Sequence, residues 1–569
     1  MCGIWQLFYN NIQQNVKLQE HYRLLFNKMW HRGPDASSLV INPNEMIGFH
    51  RLAINGLGKE GMQPFIITNN DITYTLICNG EIYNHIELES KLTTAILHYT
   101  LKSLSDCEII LPYFINNCNE NFVKLLQQLK GEYSLIITKT HKLSPTHFNK
   151  TIYIGTDQMS IRPLFYQEIK GSVNGLLLSS LIKSMTNGDD NINIKRLQQC
   201  EYRIYTQTHS GIHLLDSGLY DDYYDKTLFR NLENVQLYHD IIDTFKIAIH
   251  RRLMSEKPIC CFLSGGLDSS TVVAMVQQEL NILKPGSKIH TFSIGMSGGT
   301  DLKYAKMVAD HVGSIHTEVI ITPEECLNVL DDVIYTSETH DITTIRASTP
   351  QYLLSKYISE NTDFKVIING DGADEVEMGY LYYHLAPNDK EAQEDSYRLI
   401  RHISLFDGLR VDRNISWHGL EARFPFEDID FVKVYYNIDA SLKRPRRDLN
   451  RMEKHLFRKA LSYIYPNILP TEILWRQKEA FSDGISGQQN SWFEIIQQHI
   501  NKNMTDDTYQ QLINKSTNYL PIQSKEMAYY RNIYWKYFGL STETHIPYLW
   551  LPKWIDTNEP SARILKSIY

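Results

Sequence analysis

The chain has 569 residues, of which 43% are apolar and 21% are charged, and its formal net charge is −8. This length exceeds one ordinary core and this composition is that of a globular protein, so we expect two or more large domains and no extensive disorder. The acidic balance argues against a nucleic-acid partner, since the densest basic stretch is only KRPRRD at 443–448, which we interpret as a solvated turn.

Targeting signals and cysteine usage point to a reduced, cytoplasmic protein. No segment approaches the roughly 20 uninterrupted apolar residues of a membrane helix, so no membrane partner is expected. The opening MCGIWQLFYNN lacks the basic lead and long apolar stretch of a signal peptide. The eight cysteines show no metal-ligand pairing, and the neighbours Cys260 and Cys261 fall in a predicted buried strand, where they cannot easily bridge each other.

The first part of the chain predicts many short strands and few helices. Segments rich in Ile, Thr and Tyr at 73–80, 131–139 and 151–157 are typical of strands. Helical patterns at 84–92 and 107–117 lie between them.

The second residue, Cys2, is a candidate nucleophile. Removal of Met1 would place a thiol and a free amine on one residue. An α-amino group has a pKa of about 7.7–8, so it can serve as the base near neutrality without a histidine. A cysteine at position 2 is weak evidence for a nucleophile on its own, because such a side chain usually only packs against its neighbours.

The same half of the chain carries polar groups that an amidase acting on an amino acid requires. Arg51 can hold an α-carboxylate through paired hydrogen bonds, and Glu81 and Asp106 can hold an α-ammonium. Asn79 and the Gly80 N–H can form an oxyanion hole. Asn-Gly is also a strong hairpin-turn signal, and the two interpretations are compatible.

The pattern of predicted secondary structure changes between the two halves of the chain. The polar and aromatic stretch within 216–235 has no clear periodicity and is our candidate linker. Beyond it, predicted strands at 257–264, 288–296, 314–322 and 364–370 alternate with helical patterns at 271–280, 301–312, 326–335 and 348–360. Such alternation predicts a doubly wound parallel sheet, with ligands beyond the carboxyl ends of its strands.

SGGLDSS at 264–270 follows the first of these strands and opens a helix. Glycines let the backbone approach an anion, and the helix N-terminus adds its positive end. The lysine of a Walker loop is missing, so γ-phosphoryl transfer is not implied. Asp268 can ligate magnesium, and the acidic segment INGDGADE (368–375) follows a strand at the same edge. The alternatives without a binding role are a glycine turn at a strand-helix junction for SGGLDSS, and an acidic loop or an ordinary helix cap for INGDGADE.

The motifs of the first half, taken together, resemble a known family. MCGI, HRGPD (31–35), RLAI (51–54), NGEIYNH (79–85) and SDCE (105–108) stand in the order found in the glutaminase domain of class II amidotransferases. With TTIRASTP (343–350), GYLYYHLAP (379–387), GLEARFPF (419–426) and WRQKEAFSDG (475–484), the chain to about residue 490 resembles the glutamine-hydrolysing asparagine synthetase family.

That resemblance implies a fold class and domain bounds. The first domain would be an α+β N-terminal nucleophile hydrolase with an αββα sandwich, and the second an α/β parallel-sheet ATP pyrophosphatase with a PP-loop. The expected bounds are 2–215 for the glutaminase domain, 216–235 for the linker, 236–545 for the synthetase domain and 546–569 for a C-terminal tail.

The resemblance also implies a reaction. Glutamine would be hydrolysed at Cys2 and its ammonia would pass through an internal channel. ATP and aspartate would give β-aspartyl-AMP and pyrophosphate, and ammonia would convert this adduct to asparagine. The substrates would be aspartate, glutamine and ATP, with Mg²⁺ as cofactor, and relatives of this kind imply a homodimer.

Site residues carry over position by position. Those implied in catalysis are Cys2, Asn79, Gly80 and Asp371. Glutamine binding is implied for Arg51, Leu52, Ala53, Ile54, Asn55, Asn79, Gly80, Glu81 and Asp106. ATP and pyrophosphate binding is implied for Phe262, Ser264, Gly265, Gly266, Asp268, Ser269, Ser270, Ile294, Asn369, Gly370 and Lys478. Aspartate binding is implied for Thr343 and Arg346, and metal binding for Asp268 and Asp374.

Three departures from the family pattern qualify this assignment. The usual SGEGSDE is NGDGADE, so Asp371 replaces a glutamate and is one methylene shorter, while Asn369 and Ala373 replace serines. A displacement of about 1 Å can cost on the order of a hundredfold in rate. Thr156 stands where an arginine is common, and Met1, which the mechanism needs removed, opens the sequence.

Three other functions compete with this one. A β-lactam synthetase-like amidotransferase is disfavoured by Cys2 and by the intact TTIRASTP. A non-catalytic binding or regulatory homologue is favoured only by the changes at Asn369 and Asp371. A glutaminase with a silent synthetase half is the intermediate case.

Overall fold

Strands dominate the N-terminal half of the computed structural model, which describes residues 1–10, 16–94, 98–144, 148–170, 174–188, 192–478, 484–486, 491–516, 519–557 and 559–560. Its strands are β1 (Gly3–Tyr9), β2 (Ala36–Asn42), β3 (Glu45–Arg51), β4 (Phe65–Asn69), β5 (Ile72–Ile82), β6 (Gly131–Lys142), β7 (Phe148–Thr156), β8 (Phe165–Ile169), β9 (Gly175–Ser179), β10 (Lys195–Arg196), β11 (Glu201–Thr208) and β12 (Gly211–Leu219). They form two antiparallel sheets in the orders β10-β8-β9-β1-β3-β2 and β12-β11-β7-β6-β5-β4. The helices of this half are α1 (Val16–Asn27), α2 (His85–Ser90), α3 (Ile110–Asn116) and α4 (Phe122–Gln128).

Strand β1 shows why these sheets are covered on both faces. All its residues are buried, which is typical of a strand between two layers. Alternate side chains of a strand point to opposite faces. Ile4 and Phe8 pack in a core with residues of the second sheet, whereas Trp5 faces α1 and lies 6.0 Å from the ring of Phe26. The expected αββα sandwich is therefore confirmed.

The C-terminal half is built on one parallel sheet. Its strands are β13 (Ile259–Phe262), β14 (His290–Met296), β15 (Ile315–Ile321), β16 (Val366–Ile368) and β17 (Glu421–Arg423). They pair in the order β15-β14-β13-β16-β17, with every described pair parallel. The order reverses between β13 and β16, and ligands of doubly wound sheets bind at such a switch point. The predicted α/β domain is confirmed.

Helices surround this sheet and continue beyond it. They are α5 (Val235–Arg252), α6 (Leu267–Leu283), α7 (Thr300–Val312), α8 (Pro323–Asn328), α9 (Leu330–Ser337), α10 (Ile342–Asn361), α11 (Ala373–Val376), α12 (Asp389–His402), α13 (Asp407–Trp417), α14 (Ile429–Tyr436), α15 (Ala440–Lys443), α16 (His455–Ile464) and α17 (Thr471–Leu474). Three more helices follow, Trp492–Asn503, Asp506–Lys515 and Lys525–Phe538. Among the described residues, no helix has the length and apolarity needed to cross a membrane.

Several element boundaries differ from the sequence prediction, and in two places the difference changes the assignment of an element. The helical pattern at 326–335 is divided between α8 and α9, because Val329 (φ −99°, ψ 2°) leaves helical geometry between them. Strand β12 continues to Leu219, so the first residues of the expected linker 216–235 belong to a sheet, while α5 begins at Val235. Residues 479–483 of the WRQKEAFSDG motif and 561–569 of the expected tail lie outside the described residues.

A buried ionic network joins the two halves. Arg32 of the first half donates to Asp412 of α13 at 2.8 Å, and Arg252 of α5 donates to Glu132 of β6 at 3.1 Å. Arg162 connects the two pairs, since it lies 2.9 Å from Glu132 and 3.4 Å from Asp412. The side chains of these five residues are 0–2% exposed, so the halves meet over a desolvated interface.

Candidate active sites

Cys2 directly precedes β1, and its Sγ donates to the Leu52 carbonyl oxygen at 3.6 Å. Burial raises the pKa of this thiol to about 11, so it is protonated at neutral pH and requires a base before it can attack. The terminal amine in the structure belongs to Met1, and burial lowers its pKa to about 6. After removal of Met1, the α-amine would belong to Cys2 itself and would lie beside its thiol.

The loop after β3 presents the RLAIN segment beside Cys2. The Arg51 guanidinium donates to the carbonyl oxygens of Gly56 and, at 2.6 Å, Gly58. Its side chain is therefore held by backbone acceptors rather than by a carboxylate. Asn55 donates to Glu81 Oε2 at 2.5 Å, so this loop and β5 share one hydrogen-bonded site.

Asn79 and Gly80 lie inside strand β5, opposite Ser134 and Tyr133 of β6. The hairpin-turn interpretation of this Asn-Gly pair is therefore wrong. Gly80 has φ +145°, and a Cβ there would lie 2.0 Å from the Glu132 carbonyl oxygen, so glycine is required by the close approach of β6. The Asn79 amide is fully buried, and neither its nitrogen nor its oxygen has a hydrogen-bond partner among the described residues. Such a group is available to a ligand oxygen.

Two buried carboxyls complete this first site. Asp106 accepts from the Ile82 N–H at 2.6 Å, which ties it to the end of β5. Burial and the neighbouring Asp106 raise the pKa of Glu81, and burial raises that of Asp106. A bound ammonium group would stabilise the charged forms of both, so the pair fits the predicted site for the α-ammonium of an amino acid.

The SGGLDSS loop forms the turn from β13 into α6. Gly265 has φ +74°, and a Cβ there would lie 2.4 Å from the Ala305 nitrogen, so no other residue fits. The Ser269 hydroxyl accepts from the Ser264 N–H at 3.1 Å and closes the turn. Asp268 lies in the first turn of α6. The loop thus directs backbone N–H groups and one carboxylate to the same edge of the sheet.

The second loop, after β16, meets the first one. A Cβ on Gly370 would lie 2.7 Å from the Ser269 nitrogen, so the two loops touch. Lys454 Nζ lies 2.6 Å from both Asp268 Oδ1 and Asp374 Oδ1 and joins the two carboxylates. Lys478 also pairs with Asp374. Although burial opposes it, these two lysines lower the pKa of Asp374.

Asp371 lies in the same loop and is held from two sides. Arg410 of α13 pairs with its Oδ1, and Gln351 of α10 donates to its Oδ2 at 3.2 Å. Burial raises the pKa of Asp371, and Arg410 opposes this shift. Arg410 also pairs with Asp407 at 2.5 Å.

Both loops open on one cavity of about 230 Å³. The residues predicted for ATP, aspartate, metal or catalysis that line it are Phe262, Ser264, Gly266, Asp268, Ser269, Ile294, Thr343, Asn369, Gly370, Asp371, Asp374 and Lys478. Gly265, Ser270 and Arg346 do not line it. Arg346 pairs instead with Glu526, at 2.6 Å, and with Glu559, also at 2.6 Å.

The donors at this edge fit a magnesium ion held together with phosphates. Two carboxylates, Asp268 and Asp374, converge on a single ammonium group. Magnesium takes one or two carboxylates and completes its shell with water and substrate phosphates. Within the described ranges, no three His, Cys, Asp or Glu side chains gather closely enough to hold a metal by themselves.

Sequence reasoning missed Lys454, Arg410 and Gln351. Lys454 lies before α16 with φ +57°, far along the chain from either loop, and the nearby Lys459 carries an equally basic side chain at an exposed position. Arg410 and Gln351 belong to helices whose patterns indicate packing only. Nothing in spacing or composition distinguishes these three residues from their neighbours.

Comparisons with known proteins identify the family of this chain. The glutamine amidotransferase domain model matches residues 1–230, and the asparagine synthase model matches residues 240–394 and 385–518. The glutamine-hydrolysing asparagine synthetases of Bos taurus and Homo sapiens are 37% and 35% identical to this chain, and in each case the alignment covers 99% of this chain and 98% of the relative. A solved glutamine phosphoribosylpyrophosphate amidotransferase from B. subtilis, complexed with ADP and GMP, is 14% identical, covers 56% of this chain and 81% of its own, and has a TM-score of 0.29. Because identity above one third extends over nearly the full length, the chain belongs to the family of glutamine-hydrolysing asparagine synthetases.

Proposed function

We propose that this chain makes asparagine from aspartate, ATP and glutamine, and releases AMP, pyrophosphate and glutamate. The observation that carries the proposal is the meeting of the loops after β13 and β16 at one cavity, where Lys454 joins Asp268 and Asp374. A cationic side chain between two carboxylates at a phosphate loop suits departure of pyrophosphate, because it compensates the developing charge. The name of the relatives supplies glutamine hydrolysis and asparagine formation, and the resemblance to the family implies aspartate and ATP as the other substrates.

In the first half, Cys2 attacks the side-chain amide of glutamine. The base is the amine that Cys2 gains when Met1 is removed, and the unpartnered Asn79 amide with the Gly80 N–H stabilises the tetrahedral oxyanion. Glu81 and Asp106 hold the α-ammonium group. Arg51 holds the α-carboxylate once it exchanges a backbone carbonyl for the ligand.

In the second half, the β-carboxylate of aspartate attacks the α-phosphorus of ATP and pyrophosphate leaves. Phe262 and Ile294 contact the adenosine, while Ser264, Gly266 and Ser269 surround the leaving phosphates and Gly265 and Ser270 support the loop behind them. Asp268 and Asp374 would hold Mg²⁺, which would neutralise phosphate charge when bound. Asp371 lies where ammonia attacks the resulting β-aspartyl-AMP. Thr343 recognises the aspartate from the cavity wall, and Arg346 does so once it exchanges Glu559 for the substrate carboxylate.

The finer expectations are part of the same proposal. The proposed functional units are 2–215 and 236–545, joined by the linker 216–235, whose first residues complete strand β12, and followed by a tail. All eight cysteines lie among the described residues and are free thiols, which fits the reducing cytoplasm. We propose a homodimer on the resemblance alone.

The test is mass spectrometry of the purified protein with aspartate, Mg-ATP and glutamine labelled with ¹⁵N in its amide. We expect labelled asparagine with matching amounts of AMP and pyrophosphate. Glutamate formed with ATP untouched would contradict the synthetase function and leave a glutaminase.

Replacement of Cys2 by alanine separates the two reactions. We expect Cys2→Ala to abolish asparagine synthesis from glutamine and to leave synthesis from ammonium chloride within about twofold of the unmodified protein, because the thiol acts only on glutamine. Cys118→Ala, at another buried cysteine of the same half, is the matched control and should retain both reactions. Loss of both reactions in Cys2→Ala alone would show that Cys2 is structural.

A further inference from the structure

Glu427 is a buried carboxyl that the proposed mechanism does not use. Glu427 is the last residue of the short turn Pro425–Glu427 after β17, and only 1% of its surface is exposed to solvent. Neither carboxyl oxygen has a hydrogen-bond partner in the described part of the chain. Most buried polar atoms in folded proteins are paired, so an unpaired carboxyl requires an explanation.

Structural stabilisation does not explain it. A buried polar group without a partner loses its hydration and gains no hydrogen bond, which destabilises the fold. An apolar side chain of similar volume would serve packing better at this position. The carboxyl of Glu427 therefore has a use only for something that reaches it.

One side of Glu427 faces the wall of the synthetase cavity. A Cβ added to Gly372 would lie 2.8 Å from Glu427 Cγ and 3.0 Å from its Oε1, so the side chain packs directly on that glycine. Gly372 lines the cavity and follows Asp371. A Cβ on Gly408 would lie 3.7 Å from Glu427 Oε1. The carboxyl therefore lies against the backbone of Gly372, the cavity-lining residue that follows Asp371.

The other side faces the glutaminase half. The Phe424 N–H, at the start of the same turn, donates to Glu132 of β6 at 3.1 Å. Glu132 in turn pairs with Arg162, and Arg162 shares Asp412 with Arg32. Arg32 donates to the Cys2 carbonyl oxygen at 2.9 Å, so a continuous series of contacts leads from Cys2 to the turn that carries Glu427.

We propose that Glu427 is a hydrogen-bonding station for ammonia that passes from the glutaminase half to the synthetase cavity. This inference rests on the proposed function, in which nitrogen is released in one half and used in the other. Its ligand is ammonia, a small molecule with one acceptor lone pair and three N–H donors. A carboxyl with both oxygens unpaired can meet either kind of group.

The charges around Glu427 favour the neutral carboxyl. Burial, together with Glu132, Asp157 and Asp371, raises the pKa of Glu427 well above its usual value, and Arg252 opposes the shift. A neutral carboxyl donates its O–H to the ammonia nitrogen and accepts an N–H at the other oxygen. A carboxylate would instead hold ammonium as an ion pair and delay its release.

Two variants test the inference, Glu427→Leu and Glu427→Gln. Leucine keeps the volume and removes the polar group, whereas glutamine keeps a neutral donor and acceptor. The measured quantity is asparagine formed per glutamate released from glutamine. We expect this ratio to fall about three- to tenfold in Glu427→Leu, the effect of one lost hydrogen bond, and to stay within about twofold in Glu427→Gln.

Three further readouts separate this role from a structural one. Glutamate release and the aspartate-dependent exchange of labelled pyrophosphate into ATP should be unchanged in both variants. The midpoint of thermal unfolding of Glu427→Leu should equal or exceed that of the unmodified protein, because an unpaired polar group is removed. An unchanged ratio in Glu427→Leu, or parallel losses of ratio and exchange with a lower midpoint, would overturn the inference. Absence of asparagine from the unmodified protein would overturn the proposed function itself.

Discussion

Asp371 has adapted to its neighbours despite its short side chain. Its two oxygens pair with Arg410 and Gln351, and Arg410 is fixed further by Asp407. A carboxylate held from two sides keeps its position to within the small tolerance that catalysis requires. The loss of one methylene relative to the family pattern is therefore accommodated by the surrounding helices, in a geometry set for aspartate.

Restoring the longer side chain should consequently impair the enzyme. We expect Asp371→Glu to lower ammonia-dependent asparagine synthesis by about ten- to a hundredfold, because the added methylene displaces the carboxylate from Arg410 by about 1 Å. Glutamine hydrolysis at Cys2 should not change. The measurement is the rate of asparagine formation with saturating aspartate and ATP, with Asp371→Asn as the variant that keeps length and loses charge. A rate equal to or above that of the unmodified protein would show that the shorter side chain is a handicap.

At the scale of elements, the C-terminal segment closes one side of the synthetase cavity. Trp550, Pro552 and Pro560 line the cavity together with the loops after β13 and β16. Glu559 of this segment pairs with Arg346 of α10, the residue that the family pattern assigns to aspartate. The Glu559 carboxylate thus pairs with the Arg346 guanidinium, the group with which a substrate carboxylate would pair.

Removal of that carboxylate should therefore favour aspartate. We expect Glu559→Gln to lower KM for aspartate about three- to tenfold with little change in kcat, since one of the two carboxylates that pair with Arg346 is neutralised while Glu526 remains. Asp556→Asn, at an exposed position of the same segment, should leave KM unchanged. The measurement is initial rate against aspartate concentration at fixed ATP and ammonium chloride. If KM stays constant and only the unfolding midpoint falls, the contact with Arg346 is purely structural.

The elements themselves were largely predictable, and their partners were not. Alternation of apolar residues indicated the strands around 73–80 and 131–139, and the βα rhythm indicated the parallel sheet, because these patterns follow from local geometry. The same local rules favoured a turn at Asn79 and Gly80, where a close approach of β6 instead explains the glycine. Lys454 and Glu427 carry no signal in the sequence, because their roles depend on contacts with residues far away along the chain.

At the scale of the whole molecule, buried charged side chains that pair with one another join the two halves of the chain. Asp412 accepts from Arg32 at 2.8 Å and from Arg413 at 3.0 Å, and Arg162 lies 3.4 Å away. Although burial opposes it, these arginines lower the pKa of Asp412. A carboxyl whose pKa is lower in the folded state contributes its stabilisation above its unfolded pKa, near 4, and loses it as the pH falls towards the folded value.

Neutralisation of Asp412 should therefore loosen the interface between the halves. We expect Asp412→Asn to destabilise the protein at pH 7 by about 3–5 kcal/mol, the cost of leaving buried guanidinium groups without their carboxylate. Asp310→Asn removes an exposed partner of Lys306 and should cost at most about 0.5 kcal/mol.

Urea unfolding midpoints of the two variants, measured at pH 7 and again below pH 4, check both the size and the sign of this effect. The deficit of Asp412→Asn should shrink in acid, because the unmodified protein loses the contribution of Asp412 there as well. Equal midpoints for the two variants at pH 7 would mean that the arginines around Asp412 find other partners. The interface would then depend on apolar packing, and the buried charges would contribute to its geometry alone.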